Sequence, residues 1–478
     1  MKLYEKLAAD IEGQIRRGVF AAGERVPSVR QASQHHRLSI TTVLRAYLLL
    51  ESRGLIDSRP QSGYFVRRQG DAPPVAQLRS SAPIAVSATV DVSRLVLSTL
   101  RSIGSGSAVP LGSPYPDPTL YPSSRIHSYV HAFARRNPGA GIIDDLPPGN
   151  PELIRQITRR YLENGMVVDP NEIVITLGGT EAINLCLQAV AKPGDVIAVE
   201  SPTFYAMLHA IERMGMKALE VATHPNDGID LQALSLAMAQ QRIAACMVMP
   251  NFQNPLGFQM SDERKRALVA LCAQFDVPLI ENDVYQELYF GTLHPSALKH
   301  YDQNGLVLHC SSFSKSLAPT ARVGWAIPGR FRDQVEKLKF LNTLTTSSVQ
   351  QQALAEYLRK DGYEHHLRRV RSQYRQQSHL MTAIVRRFFP EGTRISTPQG
   401  GYVLWIELPP AVDSMVLYER ALRAGITLGP GYMFSTTRAY RNFIRLNYSY
   451  AWNPQIEHAV IALGRIVQAM VQSSAANV

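Results

Sequence analysis

A lone lysine among small hydroxyl residues marks the segment SSFSKSLAPTARVGW, residues 311–325. Ser312 and Ser314 precede Lys315, and Arg322 follows it seven residues further on. A lysine amine condenses with an aldehyde when it can lose its proton. Hydroxyl donors and a planar guanidinium at short range suit a phosphate dianion. The segment therefore indicates a ligand with both an aldehyde and a phosphate, which describes pyridoxal 5'-phosphate (PLP).

Short apolar runs that end in polar or turn residues recur on both sides of this segment. They lie at residues 172–178, 195–201, 244–250, 277–283 and 306–312. Amphipathic stretches such as TEAINLCLQAVAK and SDERKRALVALCAQF separate them. This alternation favours an α/β domain with a mostly parallel, buried sheet. Ligands on such sheets bind beyond the carboxyl ends of the strands, which is where the polar residues of these runs lie.

Length and composition describe a multi-domain globular protein. The chain has 478 residues, with 45% hydrophobic and 19% charged residues, which is too long for one ordinary core. We expect neither a membrane span nor a signal peptide, because long uncharged apolar runs are absent from the sequence and MKLYEKLAAD is charged. The four cysteines form no C-x-x-C pair, so we predict no metal site and a reducing, cytoplasmic location.

The positive charge is concentrated at the start of the chain. Residues 1–69 carry a net charge of +6, and the remaining 409 residues carry +5. The asymmetry predicts a basic module joined to a nearly neutral body.

Three helix patterns and one hairpin pattern fill residues 1–69. The first helix has an apolar face at Leu3, Leu7, Ile11 and Ile15. Ser28 and Ser39 are predicted to cap the second and third helices. The third helix is expected to bury Val43, Ala46, Tyr47 and Leu50, and LIDSRPQSGYFVRR then predicts two short strands that form a wing.

The start of the third helix is the predicted DNA-reading surface. Short polar and cationic side chains at Thr41, Thr42 and Arg45 suit phosphates and base edges in a major groove. Together with neighbouring residues and the wing tip, the predicted DNA contacts are Arg30, Ser39, Thr41, Thr42, Arg45, Arg59, Gln61 and Ser62.

This module resembles the GntR-type winged helix-turn-helix family. The resemblance rests on Gly23, Pro27, Ser28, Arg30 and Ala32, and on the stretch from Gly54 to Val66. It implies an α+β DNA-binding domain over residues 1–69. Residues 70–109 are predicted to be a linker, because 70–88 are rich in Pro, Ala and Ser, although 91–103 fit a helix or strand at the entrance to the next domain.

The lysine segment resembles the S-x-S-K-x-x-x-P-x-x-R-x-G-W motif of fold type I, class I/II aminotransferases. The resemblance implies a PLP-binding α/β domain over residues 110–475, with a small C-terminal α+β subdomain. It also implies roles for individual residues: covalent attachment of PLP at Lys315; phosphate binding by Gly179, Thr180, Ser312, Ser314 and Arg322; ring stacking by Phe204; bonding of the ring hydroxyl by Asn254 and Tyr285; and capture of a ligand α-carboxylate by Arg445.

The chain departs from the family pattern beside the pyridine nitrogen. The D-x-x-Y motif places an acid three residues before the tyrosine, but here Asn282 stands three residues before Tyr285. Either Asp283 reaches the nitrogen after a one-residue shift of the backbone, or a neutral asparagine faces it and activates the ring poorly. We favour the second alternative, which a sensor tolerates and a fast enzyme does not.

A GntR-type head, a linker and an aminotransferase-like body form the layout of the MocR subfamily of bacterial regulators. The resemblance implies a transcription regulator that holds PLP, senses an amino compound or PLP itself, and binds two operator half-sites in double-stranded DNA as a homodimer. Two alternatives stay open: an active aminotransferase with an attached DNA-binding head, and a regulator whose body is a scaffold that ignores the cofactor.

Overall fold

A computed structural model of the chain describes residues 3–52, 54–59, 63–67, 78–83, 86–104, 108–137 and 145–475. The described residues form a small N-terminal head, a large α/β body and a C-terminal α+β part. The elements of the head are α1 (Leu3–Arg16), α2 (Val29–His36), α3 (Ile40–Ser52), β1 (Ile56–Arg59) and β2 (Gly63–Val66).

Local sequence explains where the helices of the head begin. The Ser28 hydroxyl accepts the amide N–H of Gln31, whose side chain accepts the N–H of Ser28, so a capping box starts α2. The Ser39 hydroxyl likewise accepts the N–H of Thr42 at the start of α3. Both predicted caps are confirmed, and β1 pairs antiparallel with β2 as the predicted wing.

A separate apolar cluster holds the head together. The α3 residues predicted to face inward are buried in it: Val43, Ala46, Tyr47 and Leu50. On α1 the buried residues are Tyr4, Leu7, Ala8 and Ile11, whereas Leu3 is 64% exposed. The predicted apolar face of α1 is therefore wrong at Leu3, because the helix begins there and its first turn extends beyond the core.

The body is built on a mixed sheet with helices on both faces. In the described residues the strand order is β3-β6-β5-β8-β9-β10-β11-β4, and β7 pairs with β6. The elements of the body are β3 (Ala88–Thr89), α4 (Ser93–Gly104), α5 (Ser123–Arg136), α6 (Pro151–Glu163), β4 (Val174–Thr176), α7 (Gly179–Val190), β5 (Val196–Ser201), α8 (Tyr205–Arg213), β6 (Lys217–His224), β7 (Gly228–Ile229), α9 (Leu231–Gln240), β8 (Ala245–Val248), α10 (Asp262–Gln274), β9 (Leu279–Asn282), β10 (Val307–Ser312), β11 (Gly324–Ile327), α11 (Arg332–Thr343) and α12 (Ser348–Lys360).

Each of the five predicted apolar runs contains a strand: β4, β5, β8, β9 and β10. Strands β6, β5, β8, β9 and β10 run parallel, which confirms the predicted mostly parallel sheet. Strands β6 and β11 were not predicted. Lys217 and Glu220 interrupt the apolar character of β6, and β11 lies inside the lysine motif.

The second half of the predicted linker differs in the structure. Strand β3 pairs antiparallel with β6, and α4 follows it along the chain. Leu78 and Val96 are buried in an apolar cluster of the body. Residues 78–83 and 86–104 therefore pack as part of the body, because their apolar side chains complete a core whose other members lie more than a hundred residues away.

The C-terminal part has its own four-stranded antiparallel sheet, in the order β12-β13-β15-β14. Its elements are α13 (Tyr363–Phe388), β12 (Arg394–Ile395), β13 (Val403–Glu407), α14 (Ser414–Arg423), β14 (Gly429–Pro430), β15 (Phe443–Asn447) and α15 (Pro454–Ala475). This agrees with the predicted small α+β subdomain. None of the helices in the described ranges is long and apolar enough to cross a membrane.

Candidate cofactor site and DNA-binding face

Lys315 lies in the turn after β10, at the carboxyl edge of the parallel strands, and is only 9% exposed. Its Nζ donates to the carbonyl of Pro114 at 2.9 Å and lies 4.2 Å from the centre of the Tyr115 ring. Burial, and then the positive charges of Arg445 and Arg322, lower the pKa of Lys315 to about 7. A substantial fraction of this amine is thus unprotonated near neutral pH, as condensation with an aldehyde requires.

Donor groups for a phosphate surround the start of α7. Gly178 precedes the helix without a side-chain cap, so the first N–H groups, on Gly179 and Thr180, have no acceptor within the helix. A Cβ atom on Gly178 would lie 2.7 Å from Nη2 of Arg322. The predicted phosphate residues therefore lie together at one helix N-terminus, where the helix dipole favours an anion.

Arg322, Ser312 and Ser314 lie at the same helix start. Together with Gly178, Gly179 and Thr180 they form the group of residues that we call the phosphate cup. Arg322 donates to the Ser314 hydroxyl and to the Leu177 carbonyl, each at 3.2 Å. A Cβ atom on Gly179 would lie 3.6 Å from the Ser312 hydroxyl, so Ser312 borders the same helix start. These contacts place the hydrogen-bond donors of β10, of the lysine turn and of α7 around the same space at the start of α7.

The predicted ring-binding residues also meet at this edge of the sheet. Asn254 Nδ2 donates to the buried Tyr285 hydroxyl at 3.2 Å, so the two groups predicted to bond the ring hydroxyl are adjacent. Phe204 immediately precedes α8 and is half-buried, with its ring 4.5 Å from that of Tyr205.

Asn282 and Asp283 point in opposite directions. In the parallel pairing of β9 with β10, Asn282 lies beside Cys310, whose Sγ is 3.6 Å from that of Cys186 on α7. Asn282 therefore faces α7, whose N-terminus carries the phosphate cup. Its Oδ1 atom is buried and has no hydrogen-bond partner among the described residues.

Asp283 faces the other side of the sheet. Its two carboxylate oxygens accept from Asn251 Nδ2 at 3.1 and 3.2 Å. Asn251 Oδ1 in turn accepts from the buried Lys265 at 2.8 Å. The hydrogen bonds of the Asp283 carboxylate therefore lie on the side of the sheet that faces away from the phosphate cup. This geometry favours Asn282 as the partner of the pyridine nitrogen.

Behind β9, Asp283 belongs to a buried cluster with Glu281 and His309, whose ligand atoms lie within 4.8 Å of one another. Glu281 accepts from His309 Nδ1 at 2.7 Å and from the Leu298 N–H at 2.6 Å, and His309 Nε2 bonds the Tyr161 hydroxyl. Hydrogen bonds therefore already use these potential metal ligands. Burial alone would lower the pKa of His309, but the Glu281 carboxylate outweighs it and raises that pKa.

Arg445 on β15 is fully buried. It donates to the Gly112 carbonyl at 2.8 Å and to Asn254 Oδ1 at 3.4 Å, and its Nε has no partner among the described residues. Its guanidinium also lies 5.3 Å from the centre of the Phe434 ring. Because the acceptor groups of Gly112 and Asn254 are neutral, an anionic ligand beside this buried cation would be stabilised.

The loop around Pro114 was expected from the sequence, but its position beside both Lys315 and Arg445 was not predicted. Asn447 Nδ2 donates to the carbonyls of Ser113 and Tyr115, and the Tyr402 hydroxyl donates to that of Pro114. The PYPDP composition of the segment signals a turn-rich loop, but its position over the lysine arises only from contacts with residues about 200 or more positions away.

On the head, Arg30, Ser39 and Thr41 are exposed, as a DNA contact requires. Thr42 is half-buried, and its hydroxyl lies 2.7 Å from that of Ser39. Arg25, which we did not predict, is also exposed and lies beside the wing strand at Gly63. Arg59 ends β1, but its side chain, like Gln61 and Ser62 as a whole, lies outside the described residues.

Arg45 does not face solvent as predicted. Its Nη2 donates to the carbonyl of Trp452, close to the start of α15, at 3.0 Å. The prediction of an outward-facing Arg45 is therefore wrong for this conformation, because the C-terminal part of the chain covers that side of α3.

Comparisons with known families agree with this architecture. Residues 143–463 match the model of aminotransferase class I and II, and residues 3–66 match bacterial regulatory proteins of the gntR family. The chain thus belongs to the aminotransferase class I and II family and carries a gntR-type head. This confirms the predicted combination of a winged helix-turn-helix with a fold type I body.

The full-length relatives share both parts. The chain is 42% identical over 468 residues to YdcR of Escherichia coli (strain K12), an uncharacterized HTH-type transcriptional regulator, with 98% of this chain and 99% of YdcR covered. It is 38% identical to YjiR of the same organism, with the same coverage of each chain.

Among solved structures, the body is similar to the α-aminoadipate aminotransferase LysN of Thermus thermophilus complexed with N-(5'-phosphopyridoxyl)-L-leucine. The TM-score is 0.72 at 26% identity, over 78% of this chain and 95% of LysN.

Proposed function

We propose that this protein is a PLP-binding transcription regulator of the MocR type, whose body senses an amino compound or PLP itself. The observation that carries the proposal is the lysine with a lowered pKa beside a phosphate cup, in a chain whose head belongs to the gntR family. The regulators YdcR and YjiR, which align with nearly the whole chain, support the same function.

The described residues fit PLP. Asn282 Oδ1 is a buried acceptor with no partner among the described residues, at the position where the family binds the pyridine nitrogen. The close approach at Gly178 leaves room for the cup only because that residue has no Cβ. Bound there, PLP supplies an aldehyde that exchanges amines and a ring that draws electrons.

The neutral partner at the ring nitrogen favours a sensor over a fast aminotransferase. An aspartate would hold a proton on that nitrogen, whereas the amide of Asn282 does so weakly. Lys315 would hold PLP through an amine that an incoming unprotonated amine would replace, and this role does not require an activated ring. We therefore propose ligand binding without efficient turnover.

The remaining parts of the proposal concern partners. Arg445 would bind the carboxylate of an amino-acid effector. A homodimer with two heads, residues 1–69, would bind two half-sites of a double-stranded operator in the bacterial cytoplasm. The PLP domain would span residues 110–475. The described elements from residue 78 onward would also belong to it, because they complete its sheet and core.

The attachment of PLP is tested with the purified full-length protein. After incubation with PLP and reduction with borohydride, the peptide that contains Lys315 should gain the mass of the reduced cofactor. Lys315→Ala should lose this covalent product, whereas Lys299→Ala, a lysine outside the site, should keep it. A trapped product in Lys315→Ala would contradict the assignment.

Selection of genomic DNA fragments by the same protein tests the regulatory role. We expect recovery of operators with two half-sites, and no recovery by a protein that lacks residues 1–69. Turnover of an amino acid at about 1 per second or faster, with no selected DNA, would favour the aminotransferase alternative instead.

A further inference from the structure

Helix α13 extends from the lysine turn to the head. It contains 26 residues, which corresponds to a length of about 39 Å. At its first turn the Tyr363 hydroxyl donates to the Ser316 hydroxyl at 2.8 Å, and His366 Nε2 lies 2.9 Å from the Ser316 carbonyl. Ser316 follows Lys315 directly, so the start of the helix is fixed to the turn that carries the cofactor lysine.

The other end of α13 contacts the head. Arg387 donates to the hydroxyl of Tyr64, on wing strand β2, at 3.2 Å. Leu48 of α3 is 1% exposed and belongs to the apolar core cluster of the body, together with Met381 and Ile384 of α13. The DNA-reading helix is thus packed on the last turns of α13 by apolar burial as well as by a polar contact.

A second connection starts at Arg445. The chain runs from β15 through Ser449 and Ala451, which bond the backbone and the carboxylate of Asp117, to Trp452. The carbonyl of Trp452 accepts from Arg45 of α3. The segment with the predicted carboxylate-binding arginine therefore ends on the same helix of the head.

The first connection begins at the turn that carries Lys315, and the second begins at Arg445. Both of these residues would contact a bound ligand, and both connections end on α3. We propose that α13 and the segment 445–452 transmit occupation of the PLP site to the DNA-binding head by changing how α3 is held against the body. The proposal rests on the proposed function, because it requires that the protein bind both PLP and DNA. Coupling of this kind is carried by rigid elements whose two ends contact the two sites.

The two ends of α13 provide the variants for the test. Tyr363→Phe removes one hydroxyl at the lysine turn, and Arg387→Met removes the contact with Tyr64. Arg368→Met is the matched control, because Arg368 is an exposed arginine of the same helix whose ion pair, with Glu364, stays within α13. Arg45 is left unchanged, because a substitution on α3 itself would mix an effect on DNA binding with an effect on coupling.

The measurement is the dissociation constant of the full-length protein for its own selected operator fragment. It is made without PLP, with PLP, and with PLP plus a mixture of the twenty standard amino acids. In the wild type and in Arg368→Met we expect ligand to change this constant by about fivefold or more. In Tyr363→Phe and in Arg387→Met the change should fall below about twofold, and the double variant should show no further loss.

A readout in the head itself keeps the test independent of the operator. Amide hydrogen exchange of residues 40–52 should change when PLP is added to the wild type, and should respond much less in Arg387→Met. The visible spectrum of bound PLP should be the same in all variants, which separates lost coupling from lost cofactor.

Persistence of the full ligand effect in both end variants would overturn the proposal. So would a wild-type protein that binds PLP and DNA without any influence of one on the other, although the proposed function would then stand. Failure of the wild type to bind PLP or DNA would overturn the proposed function and the coupling together.

Discussion

Asn282 is the residue on which the proposed distinction between sensing and turnover rests. Its side chain faces α7 and has a buried acceptor atom, whereas the Asp283 carboxylate is bound by Asn251 on the opposite side of the sheet. If PLP is bound here, an amide and not a carboxylate would face its ring nitrogen, and the ring would take up electrons less readily.

Asn282→Asp should accelerate the conversion of a bound amino acid to its 2-oxo acid by about tenfold or more, equivalent to about 1.4 kcal/mol of activation free energy. The physical reason is that a carboxylate at this position holds the ring nitrogen protonated. The measurement is the single-turnover release of 2-oxo acid by the PLP-loaded protein.

Asp283→Asn is the matched control for this prediction, and its rate should stay within about threefold of the wild type. A large rate change in Asp283→Asn with none in Asn282→Asp would show that Asp283 is the ring partner.

The pKa of Lys315 predicts how capture of PLP depends on pH. Only the unprotonated amine reacts, and its pKa is lowered to about 7, so the capture rate should rise with pH and level off above about pH 8.

Arg445→Gln removes one of the positive charges that lower the pKa of Lys315 and should move the midpoint of this pH profile to higher pH. Stopped-flow absorbance of the PLP-free protein mixed with PLP measures both effects. A rate that keeps rising to pH 10 would mean that the pKa of this lysine is not lowered.

Two loops that end neighbouring strands are joined by the buried residue Gln253. Its Nε2 donates to the Pro202 carbonyl at 2.7 Å, and its Oε1 accepts the N–H of Leu256 at 2.9 Å. The first loop carries Phe204 and the second carries Asn254. The positions of the two side chains proposed to stack on the ring and to bond its hydroxyl thus depend on the hydrogen bonds of Gln253.

Gln253→Met should weaken PLP binding by about tenfold, because it leaves a buried carbonyl and a buried N–H unpaired at a cost of about 1–3 kcal/mol. Gln274→Met, an exposed substitution on α10, is the matched control and should leave affinity unchanged. Equilibrium titration of the visible absorbance measures both. Equal affinity of the two variants would show that these loops do not need Gln253.

At the scale of the molecule, the excess of positive charge in the head predicts strongly salt-dependent DNA binding. Arg30 is an exposed residue in the first turn of α2, and it lacks the contact with Trp452 that holds Arg45. Arg30→Ala should weaken binding at low salt and reduce the slope of log affinity against log salt by about 1, if it contacts a phosphate. Titrations at several salt concentrations measure the slope. An unchanged slope would place Arg30 outside the DNA contact.

Local sequence determined the type of each domain and the candidate lysine. The lysine motif lies in one continuous stretch of chain, so its residue types predicted an aldehyde and phosphate ligand for Lys315, Ser314 and Arg322, although strand β11 within it was not predicted. Ser28 and Ser39 predicted the helix starts of the head for the same reason, since a cap contacts residues only three positions away.

Tertiary structure alone decided the features that depend on distant residues. The sequence left Asn282 and Asp283 as alternatives for the ring partner, and the pairing of β9 with β10 and the contact of Asp283 with Asn251 favour Asn282. Arg45 was predicted to face DNA, but a carbonyl 407 positions away binds it. Residues 78–83 and 86–104 fell within the predicted linker, because their apolar side chains gain a core only when the body has folded around them. Periodicity and motif spacing describe neighbours along the chain, and these contacts join residues that only the fold makes neighbours.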